Sequence, residues 1–338
     1  MKKILFLAAI AVFLIGCTSA PPANGEKPIL RVYTYDSLAA DYGLGPIVVP
    51  KFEAECGCTV ELIAAGDAGQ VLSRLVLEKN NPKADLVIGI DNTFKEKAIE
   101  AGVLEKFTPE NISVVPQELR FDKEGYLTPY DYGFMAFVYD KTKIRPAPQS
   151  FEDLLDERFR DRIVIENPRT SSPGLALLLW TVAVYGENGF LEYWAKLKPN
   201  ILTVTAGWDG AAGLFGAGEA PVYLSYATSP PYYVQFEENE NFLAAEFKEG
   251  HFLQVEGMAI VKGTQKQELA GQFIEFALTE KFQAEIPLTQ FMFPVNENVQ
   301  MPESFDFALR PAKTVSLDEK LVDEKQEEWI SQWETVFS

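Results

Sequence analysis

Aromatic and acidic residues occur together at several predicted strand ends and turns, and this pairing suits the recognition of a cation. The residues concerned are Tyr35 with Asp36, Asp67, Asp131 with Tyr132, Trp208 with Asp209, and Tyr226 with Tyr232. Aromatic faces stack on flat rings and attract positive charge, each contact contributing about 0.5–2 kcal/mol depending on desolvation. Most of these tyrosines, taken singly, would be core residues. Their coincidence with carboxylates predicts a site for a flat, positively charged small molecule.

Two adjacent serines could add an anion-binding element to such a site. Ser171 and Ser172 precede a predicted helix, and the free amides at a helix N-terminus attract phosphate. The alternative is plain helix capping. We favour capping for Ser172, which we predict as the N-cap with Pro173 in the first helical position.

The motifs that carry most enzyme chemistry are absent from the sequence. There is no Gly-x-Ser-x-Gly elbow, no phosphate-cradling glycine loop ending in Gly-Lys-Ser, and no histidine-rich metal spacing. His251 is the single histidine, and a lone histidine in a strand is more often a core or hinge residue than a catalytic base. We therefore predict that the protein is not an enzyme and has no cofactor and no metal site.

Two of the three cysteines form the short motif Cys56-Gly57-Cys58. A metal site would need further Cys or His ligands, and redox catalysis usually has two intervening residues instead of one. We interpret the pair as structural. It is either a local disulfide in an oxidising compartment or two small buried thiols.

The N-terminus has the pattern of an export signal. A basic start precedes the uncharged apolar stretch 4–14, which is too short to span a bilayer but suits a secretory signal peptide. Leu14-Ile15-Gly16-Cys17 resembles the lipobox of exported lipoproteins, whose cysteine becomes the acylated first residue. We predict a signal peptide over residues 1–16, lipidation at Cys17 and a flexible tether over 17–27. The protein would then be extracytoplasmic and anchored to the membrane by lipid.

The chain is long enough for two domains and is strongly acidic. Its 338 residues carry a formal net charge of −19, and 47% of them are apolar, so the body is predicted to fold. Nucleic acid and anionic lipid surfaces would both repel such a chain. We predict no nucleic-acid partner, and contact with the membrane only through the lipid anchor.

Short β-branched runs alternate with helical patterns along the chain. Strands are predicted at 30–34, 59–63, 85–90, 162–165, 201–204 and 222–224. This alternation predicts parallel sheets covered by helices on both faces, with ligands beyond the carboxyl ends of the strands. Two longer strands, 132–140 and 251–261, are long enough to cross between two domains. A last helix near 318–337 carries an aromatic stripe that we expect to dock on the core.

Longer segments carry more specific information than these patterns. They are Val32–Ser37, Lys83–Val87, Asp131–Gly133, Ala136–Lys141, Pro168–Leu175 with Leu177–Trp180, Leu224–Tyr226 with Thr228–Pro230, and Glu249–His251 with Leu253–Glu256. In this order the segments resemble the thiamine-binding periplasmic proteins of bacterial ABC importers. The resemblance covers nearly the whole chain after the signal peptide.

The resemblance implies an α/β fold of the periplasmic-binding-protein-like type II class. Each of its two domains is a mostly parallel sheet flanked by helices, and two crossing strands join the domains. Domain I is expected at 28–125 plus 253–285, and domain II at 126–252 plus 286–338. Closure of the two domains about the crossing strands would enclose the ligand.

The resemblance also implies which residues contact the ligand. The predicted set is Tyr35, Asp36, Tyr42, Asp67, Ser171, Trp208, Tyr226, Ser229, Tyr232 and Phe291. Tyr226 is expected to stack on one ring, and Ser171 and Trp208 to lie at the hydroxyethyl or phosphate end. Tyr42 and Phe291 stand where the family has tryptophan, and their smaller aromatic faces predict weaker stacking.

The predicted function is that of an extracytoplasmic solute-binding protein. It would capture thiamine, thiamine monophosphate or thiamine diphosphate as a monomer and deliver it to the permease of an ABC importer. One alternative cargo is ferric ion or another cationic solute, because adjacent Tyr232 and Tyr233 are similar to the paired phenolates of iron binders. A less favoured alternative is a thiaminase-like enzyme. Thiaminases share this fold and use a cysteine nucleophile, for which Cys56 or Cys58 would be needed.

Overall fold

The computed structural model of the chain describes residues 27–338. The predicted signal peptide, the lipidation site Cys17 and all but the last residue of the predicted tether lie outside the described residues. Within the described part, no single helix is long and apolar enough to cross a membrane. The helices Ser172–Tyr185 and Phe190–Asn200 pass that test only when they are taken together across a bend of 120°.

Strands and helices alternate along the described chain. The strands are β1 (Ile29–Thr34), β2 (Thr59–Ala64), β3 (Leu86–Asp91), β4 (Leu104–Glu105), β5 (Thr128–Asp140), β6 (Ile163–Glu166), β7 (Ile201–Thr205), β8 (Val222–Tyr226), β9 (Phe242–Ala244), β10 (His251–Val261), β11 (Phe293–Pro294) and β12 (Thr314–Val315). The α-helices are α1 (Asp36–Ala39), α2 (Leu44–Cys56), α3 (Ala68–Leu77), α4 (Lys95–Ala101), α5 (Ser172–Tyr185), α6 (Phe190–Leu197), α7 (Trp208–Gly216), α8 (Pro230–Glu237), α9 (Gln267–Ala277), α10 (Glu280–Gln283), α11 (Ile286–Thr289) and α12 (Glu319–Phe337). Short 3₁₀ helices cover Ile112–Val114, Gln117–Leu119, Glu152–Leu155, Glu157–Phe159, Lys198–Asn200 and Glu303–Phe307.

The strands form a mixed sheet with a parallel group at each end. Its order is β2-β1-β3-β10-β5-β8-β6-β7. β1 pairs in parallel with β2 and β3, and β6 pairs in parallel with β7 and β8. We refer to the part built around β1–β3 as the first lobe and to the part built around β6–β8 as the second lobe. Parallel alignment brings the carboxyl ends of the strands in each lobe to one edge, where ligand sites form.

β5 and β10 join the two lobes. Residues 128–134 of β5 pair antiparallel with β10, whereas residues 135–140 pair with β8 and β9. β10 pairs in turn with β3 of the first lobe. The prediction of two crossing strands is confirmed, although β5 begins at Thr128 instead of residue 132 because Thr128 and Pro129 also pair with β10.

Helices cover both faces of the sheet in the first lobe. Val32 packs on the side of α2 and α9, where the rings of Phe52 and Phe273 are 4.9 Å apart between centroids. Tyr33, the next residue, packs on the opposite side with Val71 of α3. Because successive side chains of a strand point to opposite faces, burial on both faces requires a continuous apolar run. This explains why the strands lack an apolar–polar alternation.

The aromatic stripe of α12 docks on the second lobe, as predicted. Trp329, Ile330 and Trp333 are buried. The ring of Trp333 packs edge to face on Trp194 of α6, with 5.7 Å between centroids. These contacts assign the stripe to the core and not to a ligand site.

Helix α5 begins one residue earlier than predicted. Its N-cap is Ser171, whose backbone is extended (φ −122°, ψ 134°) and whose carbonyl accepts a helical hydrogen bond from Leu175 N at 3.0 Å. The prediction of Ser172 as N-cap is therefore wrong, and Pro173 is the second helical residue. Proline lacks an N–H, and no amide of the first helical turn has a partner within the helix. Proline therefore fits the first and the second helical position equally well. For this reason the position of Pro173 could not show at which residue α5 begins.

Cys56 and Cys58 form a disulfide at the end of α2. Gly57 between them has a φ of 64°, the left-handed conformation that commonly ends a helix. Of the two structural interpretations of this motif, the structure shows the local disulfide.

Candidate ligand-binding site

A cleft of about 750 Å³ lies between the lobes, beyond the carboxyl ends of the strands. This volume suits a small organic molecule. Its wall is built from residues at or just after the ends of β1, β2, β6, β7 and β8. The predicted ligand-binding residues on this wall are Tyr35, Tyr42, Asp67, Trp208, Tyr226, Ser229, Tyr232 and Phe291. The structure thus brings together most of the residues that the sequence singled out.

Asp36 and Ser171 are not on this wall. Asp36 is the first residue of α1, and its Oδ1 accepts a hydrogen bond from Gly66 N at 3.0 Å, which holds the loop before Asp67. Ser171 is fully buried, and its Oγ has no hydrogen-bond partner. The next residue, Ser172, does reach the wall. Direct ligand contact by Asp36 and Ser171 therefore stays a prediction.

Asp67 caps α3 and faces the cleft. Its Oδ1 accepts from Ala68 N at 2.7 Å, and the side chain of Gln70 accepts from the Asp67 N–H at 3.0 Å, which completes a capping box. Its Oδ2 accepts from Trp208 N of the second lobe at 3.2 Å. Burial raises the pKa of Asp67 from 3.8 to about 6, although the bonds from Ala68 and Trp208 and the nearby Ser171 hydroxyl act to lower it.

Three further carboxylates lie side by side across the sheet. β10 places Glu256 between Asp91 of β3 and Asp131 of β5, each of which is its direct cross-strand partner. All three are buried, and Glu256 also lines the cleft. We call Asp67, Asp91, Asp131 and Glu256 the acidic floor. Asp67 and Glu256 line the cleft, and Asp91 and Asp131 are buried beside Glu256.

The carboxyl groups of the acidic floor are harder to ionise than exposed ones. Burial raises the pKa of Glu256 to about 7, and the neighbouring charges of Asp91 and Asp67 act in the same direction. Burial and Glu256 together raise the pKa of Asp131 well above its ordinary value. No Lys, Arg or His lines the cleft in the part of the chain that the structure describes. Because a nearby positive charge favours the ionised carboxylates, this floor is suited to a cationic ligand.

Glu256 is a site residue that the sequence analysis missed, and Glu166 adds to the acidic character nearby. Glu166 ends β6, its two carboxylate oxygens have no hydrogen-bond partner, and burial followed by the charge of Asp67 raises its pKa well above normal. A usable signal existed in both cases, because a charged residue inside an otherwise apolar strand is rare without a partner or a function.

Tyr35 links the floor to the wall of the cleft. Its hydroxyl donates to Glu256 Oε2 at 2.9 Å, lies 2.7 Å from the Tyr130 hydroxyl and accepts from Gln290 Nε2 at 2.5 Å. Burial, then the charge of Glu256, raises the pKa of Tyr35 well above 10.0. The Tyr35 ring fits only because residue 89 is a glycine. Gly89 has a φ of 99°, and a Cβ at this position would lie only 2.3 Å from Tyr35 Cδ1. The ring is therefore held in one place before any ligand binds.

Tyr226 stands above the floor at the end of β8. Its hydroxyl donates to Gln254 Oε1 at 3.3 Å. A Cβ on Gly133 of β5 would lie 3.2 Å from Tyr226 Cδ1, so the absence of a side chain there makes room for the ring. Burial and then the charge of Glu256 raise the pKa of Tyr226 well above its ordinary value. The phenol therefore stays neutral and offers a ring face for stacking.

A chain of hydroxyl contacts fixes Trp208 on the second lobe. Its indole Nε1 donates to Ser225 Oγ at 2.8 Å, and Ser225 Oγ lies 2.7 Å from Ser229 Oγ. Ser229 Oγ in turn accepts from Tyr226 N at 3.2 Å. Ser229 therefore connects the two aromatic residues and orients them.

The entrance of the cleft is lined by aromatic rings. The Tyr232 ring meets the rings of Phe291 and Phe236 edge to face, at 5.3 and 5.6 Å between centroids. From the other side, the Tyr42 hydroxyl donates to Asp209 Oδ1 at 3.2 Å, a contact between the lobes. We call Tyr42, Tyr232, Phe236 and Phe291 the aromatic mouth. Phe236 was not predicted, because its position in α8 gave no pattern that distinguished it from a packing residue.

The alternative functions depend on Tyr232, Tyr233, Cys56 and Cys58, and both tyrosines line the cleft. The Tyr233 hydroxyl lies 3.1 Å from the Tyr223 hydroxyl in a buried cluster. His251 is fully buried, with Nδ1 at 2.8 Å from Met135 O and Nε2 accepting from Phe247 N at 2.9 Å. It is a core residue of a crossing strand, as expected. Among residues 27–338 no group of three or more His, Cys, Asp and Glu side chains is arranged to hold a metal ion. The thiols of Cys56 and Cys58 are joined in the disulfide.

Comparison with known proteins identifies the family of the chain. Residues 81–319 match the model of a bacterial extracellular solute-binding protein family. The chain is 42% identical over 313 residues to the thiamine-binding periplasmic protein of Escherichia coli, covering 92% of this chain and 94% of that protein. It is also 34% identical to the thiamine-binding periplasmic protein of Haemophilus influenzae, covering 99% of each chain.

Solved structures show the same fold. A periplasmic thiamin binding protein superposes with a TM-score of 0.88 at 41% identity, covering 94% of this chain and 99% of that chain. A ferric binding protein from Campylobacter jejuni superposes with a TM-score of 0.76 at 22% identity, covering 91% and 99%. The second likeness concerns the fold alone.

Proposed function

The chain belongs to the bacterial extracellular solute-binding proteins, and we propose that it captures thiamine in the cleft between its lobes. Thiamine combines a positively charged thiazolium ring with a flat aminopyrimidine. The ligand named for relatives at 34–42% identity supports this choice of cargo.

The observation that carries the proposal is the acidic floor beneath an aromatic wall. Two residues of the floor, Asp67 and Glu256, line the cleft, and Asp209 and Glu237 add two further carboxylates to its lining. The thiazolium would supply the positive charge that the floor lacks, and the ring faces of Tyr226 and the aromatic mouth would stack on the two flat rings. Carboxylates would also accept hydrogen bonds from the aminopyrimidine.

Thiamine monophosphate and thiamine diphosphate are proposed as further ligands. Their phosphate would lie at the N-terminus of α5, where backbone amides and the helix dipole attract an anion. The buried, unpartnered Ser171 Oγ and the cleft-lining Ser172 support this position.

Delivery would follow from closure of the lobes. We propose domain I at 28–125 plus 253–285 and domain II at 126–252 plus 286–338, with β5 and β10 as the hinge between them. The closed protein, as a monomer, would dock on the permease of an ABC importer and release the ligand unchanged, without catalysis. Lipidation at Cys17 would hold it at the outer side of the membrane.

Calorimetric titration with thiamine tests the proposal. The chain from Thr18 onward is unfolded and refolded first, so that ligand carried through purification is removed. We expect one-to-one binding with a submicromolar dissociation constant, which corresponds to a favourable binding free energy of about 8 kcal/mol or more. Absence of both heat and thermal stabilisation would contradict the thiamine assignment.

A matched pair of variants locates the binding. Asp67→Asn removes the charge and keeps an oxygen that can cap α3, but its NH2 group cannot accept the bond that Oδ2 accepts from Trp208 N. We expect the variant to weaken thiamine binding about tenfold or more. Asp318→Asn is the control, because Asp318 caps α12 in the same way, accepting from Leu321 N at 3.0 Å, and does not line the cleft. Equal binding by the two variants would contradict a role for the Asp67 charge.

A further inference from the structure

The first turn of α3 rests against two loops of the second lobe. These loops are 167–171, between β6 and α5, and 206–207, between β7 and α7. Thr170 Oγ1 donates to Ala206 O at 2.6 Å and ties the two loops together. Asp67, at the start of the turn, accepts from Trp208 N. Two residues further on, Gly69 is buried in this contact.

Gly69 has no space for a side chain in this arrangement. A Cβ at this position would lie 2.7 Å from Arg169 O and 3.0 Å from the carbonyl carbon and oxygen of Thr170. All three atoms belong to the backbone, and close-packed backbone cannot turn aside as a flexible side chain does. The clash would be relieved by moving α3 away from the second lobe.

The local backbone does not require glycine at this position. Gly69 lies inside α3 and is not among the glycines with positive φ. Glycine inside a helix is unfavourable compared with alanine. The contact with the second lobe is therefore the physical reason that the structure offers for this glycine.

We infer that Gly69 sets how far the two lobes close over the cleft, and that it is a positioning residue for ligand retention. The retention part rests on the proposed function of the cleft. Gly69 does not line the cleft. It acts through the turn that carries Asp67, which reaches Trp208 N only when the turn is seated on the second lobe.

Chemical trapping of the closed form tests this inference without any ligand. Tyr42 and Asp209 meet across the mouth, so Tyr42→Cys combined with Asp209→Cys provides two thiols that a short bis-maleimide joins when the lobes are closed. The chain starts at Thr18, and no reductant is added, so the Cys56–Cys58 disulfide stays intact. Adding Gly69→Ala should slow the crosslinking about tenfold or more. An unchanged rate would overturn the inference.

Thermal unfolding of the ligand-free protein separates this effect from a folding defect. Gly69→Ala should unfold at the same temperature as its parent or higher, because alanine favours the helix once the lobes are apart. Gly213→Ala in α7 gives the matched reference for helix stabilisation, because a Cβ there meets nothing within 4 Å. A lower unfolding temperature for Gly69→Ala with an unchanged crosslinking rate would assign the glycine to folding alone and overturn the inference.

Thiamine dissociation supplies the functional readout. Gly69→Ala should release thiamine about tenfold faster or more. A normal release rate together with slow crosslinking would overturn the retention part. If the parent protein does not bind thiamine at all, the proposed cargo fails, whereas the crosslinking result still decides the role of Gly69 in closure.

Discussion

The acidic floor and the aromatic mouth of the cleft occupy different parts of the fold. Asp91, Asp131 and Glu256 lie in paired strands and are at most 8% exposed. In the mouth, Tyr42 is 65% exposed, Phe236 60% and Tyr232 40%, and only Phe291, at 9%, is buried. A buried charge in a rigid strand cannot adapt to its ligand, whereas an exposed ring can turn to meet one. The floor is therefore suited to selecting the charge of the ligand, and the mouth to covering it once bound.

This difference predicts unequal costs for changes in the two regions. A buried carboxylate interacts with a cation in surroundings of low effective dielectric constant, where the attraction is strong. An exposed aromatic ring contributes less, because water competes for the same surfaces. Substitutions in the floor should accordingly have larger effects on affinity than substitutions in the mouth.

The largest effect is expected for Glu256→Gln. This change keeps the shape of the side chain and an oxygen that can accept from Tyr35, but it removes the charge. We expect thiamine affinity to fall about 100-fold. The ligand-free protein should be no less stable at about pH 8, because the variant no longer buries an ionised group that repels Asp131.

Calorimetry and thermal unfolding check this prediction, with Glu78→Gln as the control. Glu78 Oε2 accepts from the Tyr33 hydroxyl at 2.8 Å, as Glu256 does from Tyr35, but Glu78 does not line the cleft. Comparable losses of affinity in both variants would show that the Glu256 charge has no special role.

A smaller effect is expected for Tyr226→Ala, which removes the ring between floor and mouth. Loss of stacking should weaken thiamine binding by about 1–3 kcal/mol. Tyr226→Phe keeps the ring and loses only the 3.3 Å hydrogen bond to Gln254, so it should retain most of the affinity. Titration of both variants distinguishes stacking from hydrogen bonding. A larger loss in Tyr226→Phe than expected from one weak bond would argue against stacking.

The third prediction concerns pH, which acts on the floor and not on the mouth. The pKa values of Asp67 and Glu256 are raised to about 6 and about 7. A cation binds their ionised forms, so binding releases protons and thiamine affinity should rise about tenfold between about pH 5.5 and pH 8. Asp67→Asn should flatten this profile. A pH-independent affinity would contradict the role of the floor carboxylates.

The same pKa shifts have the opposite effect on the ligand-free protein. Carboxyl groups with raised pKa values in the folded state stabilise the fold below their unfolded values of 3.8 and 4.5. This stabilisation is lost as pH rises through about 6 and 7. The increase in unfolding temperature on adding thiamine should therefore grow with pH over this range, which differential scanning calorimetry can measure.

The smallest effect is expected in the mouth. Phe236→Ala removes an exposed ring, and we expect a loss of about 0.5–1 kcal/mol in thiamine affinity, seen mainly as faster dissociation. Leu77→Ala is the control, because Leu77 is a large apolar residue that is 87% exposed and does not line the cleft. A loss for Phe236→Ala as large as that for Glu256→Gln would invalidate the distinction between floor and mouth.

Much of the fold was predictable because local patterns and fold constraints agree. Apolar runs bounded by turns identified the strands, and two unusually long runs identified the crossings β5 and β10. The start of α5 was misplaced by one residue because proline fits the first and the second helical position equally well. For the site, residues at strand ends such as Tyr35, Asp67 and Trp208 were found, since parallel strands bring their carboxyl ends to one edge.

The amino-acid sequence by itself determined the class of fold, the acidic and aromatic character of the site, and eight of the residues on its wall. The alternation of strands and helices and the polar residues at strand ends follow from local pattern and composition. The type II class and the residues Tyr42, Ser229 and Phe291 follow from the resemblance to thiamine-binding periplasmic proteins. The tertiary structure alone decided that Asp91, Glu256 and Asp131 form one row, because that depends on the register of three strands distant in sequence. It also decided that Gly69 meets Arg169 and Thr170. The sequence shows only that a glycine lies within a helix. Why a larger residue would not fit there becomes clear only from the position of the backbone that it faces.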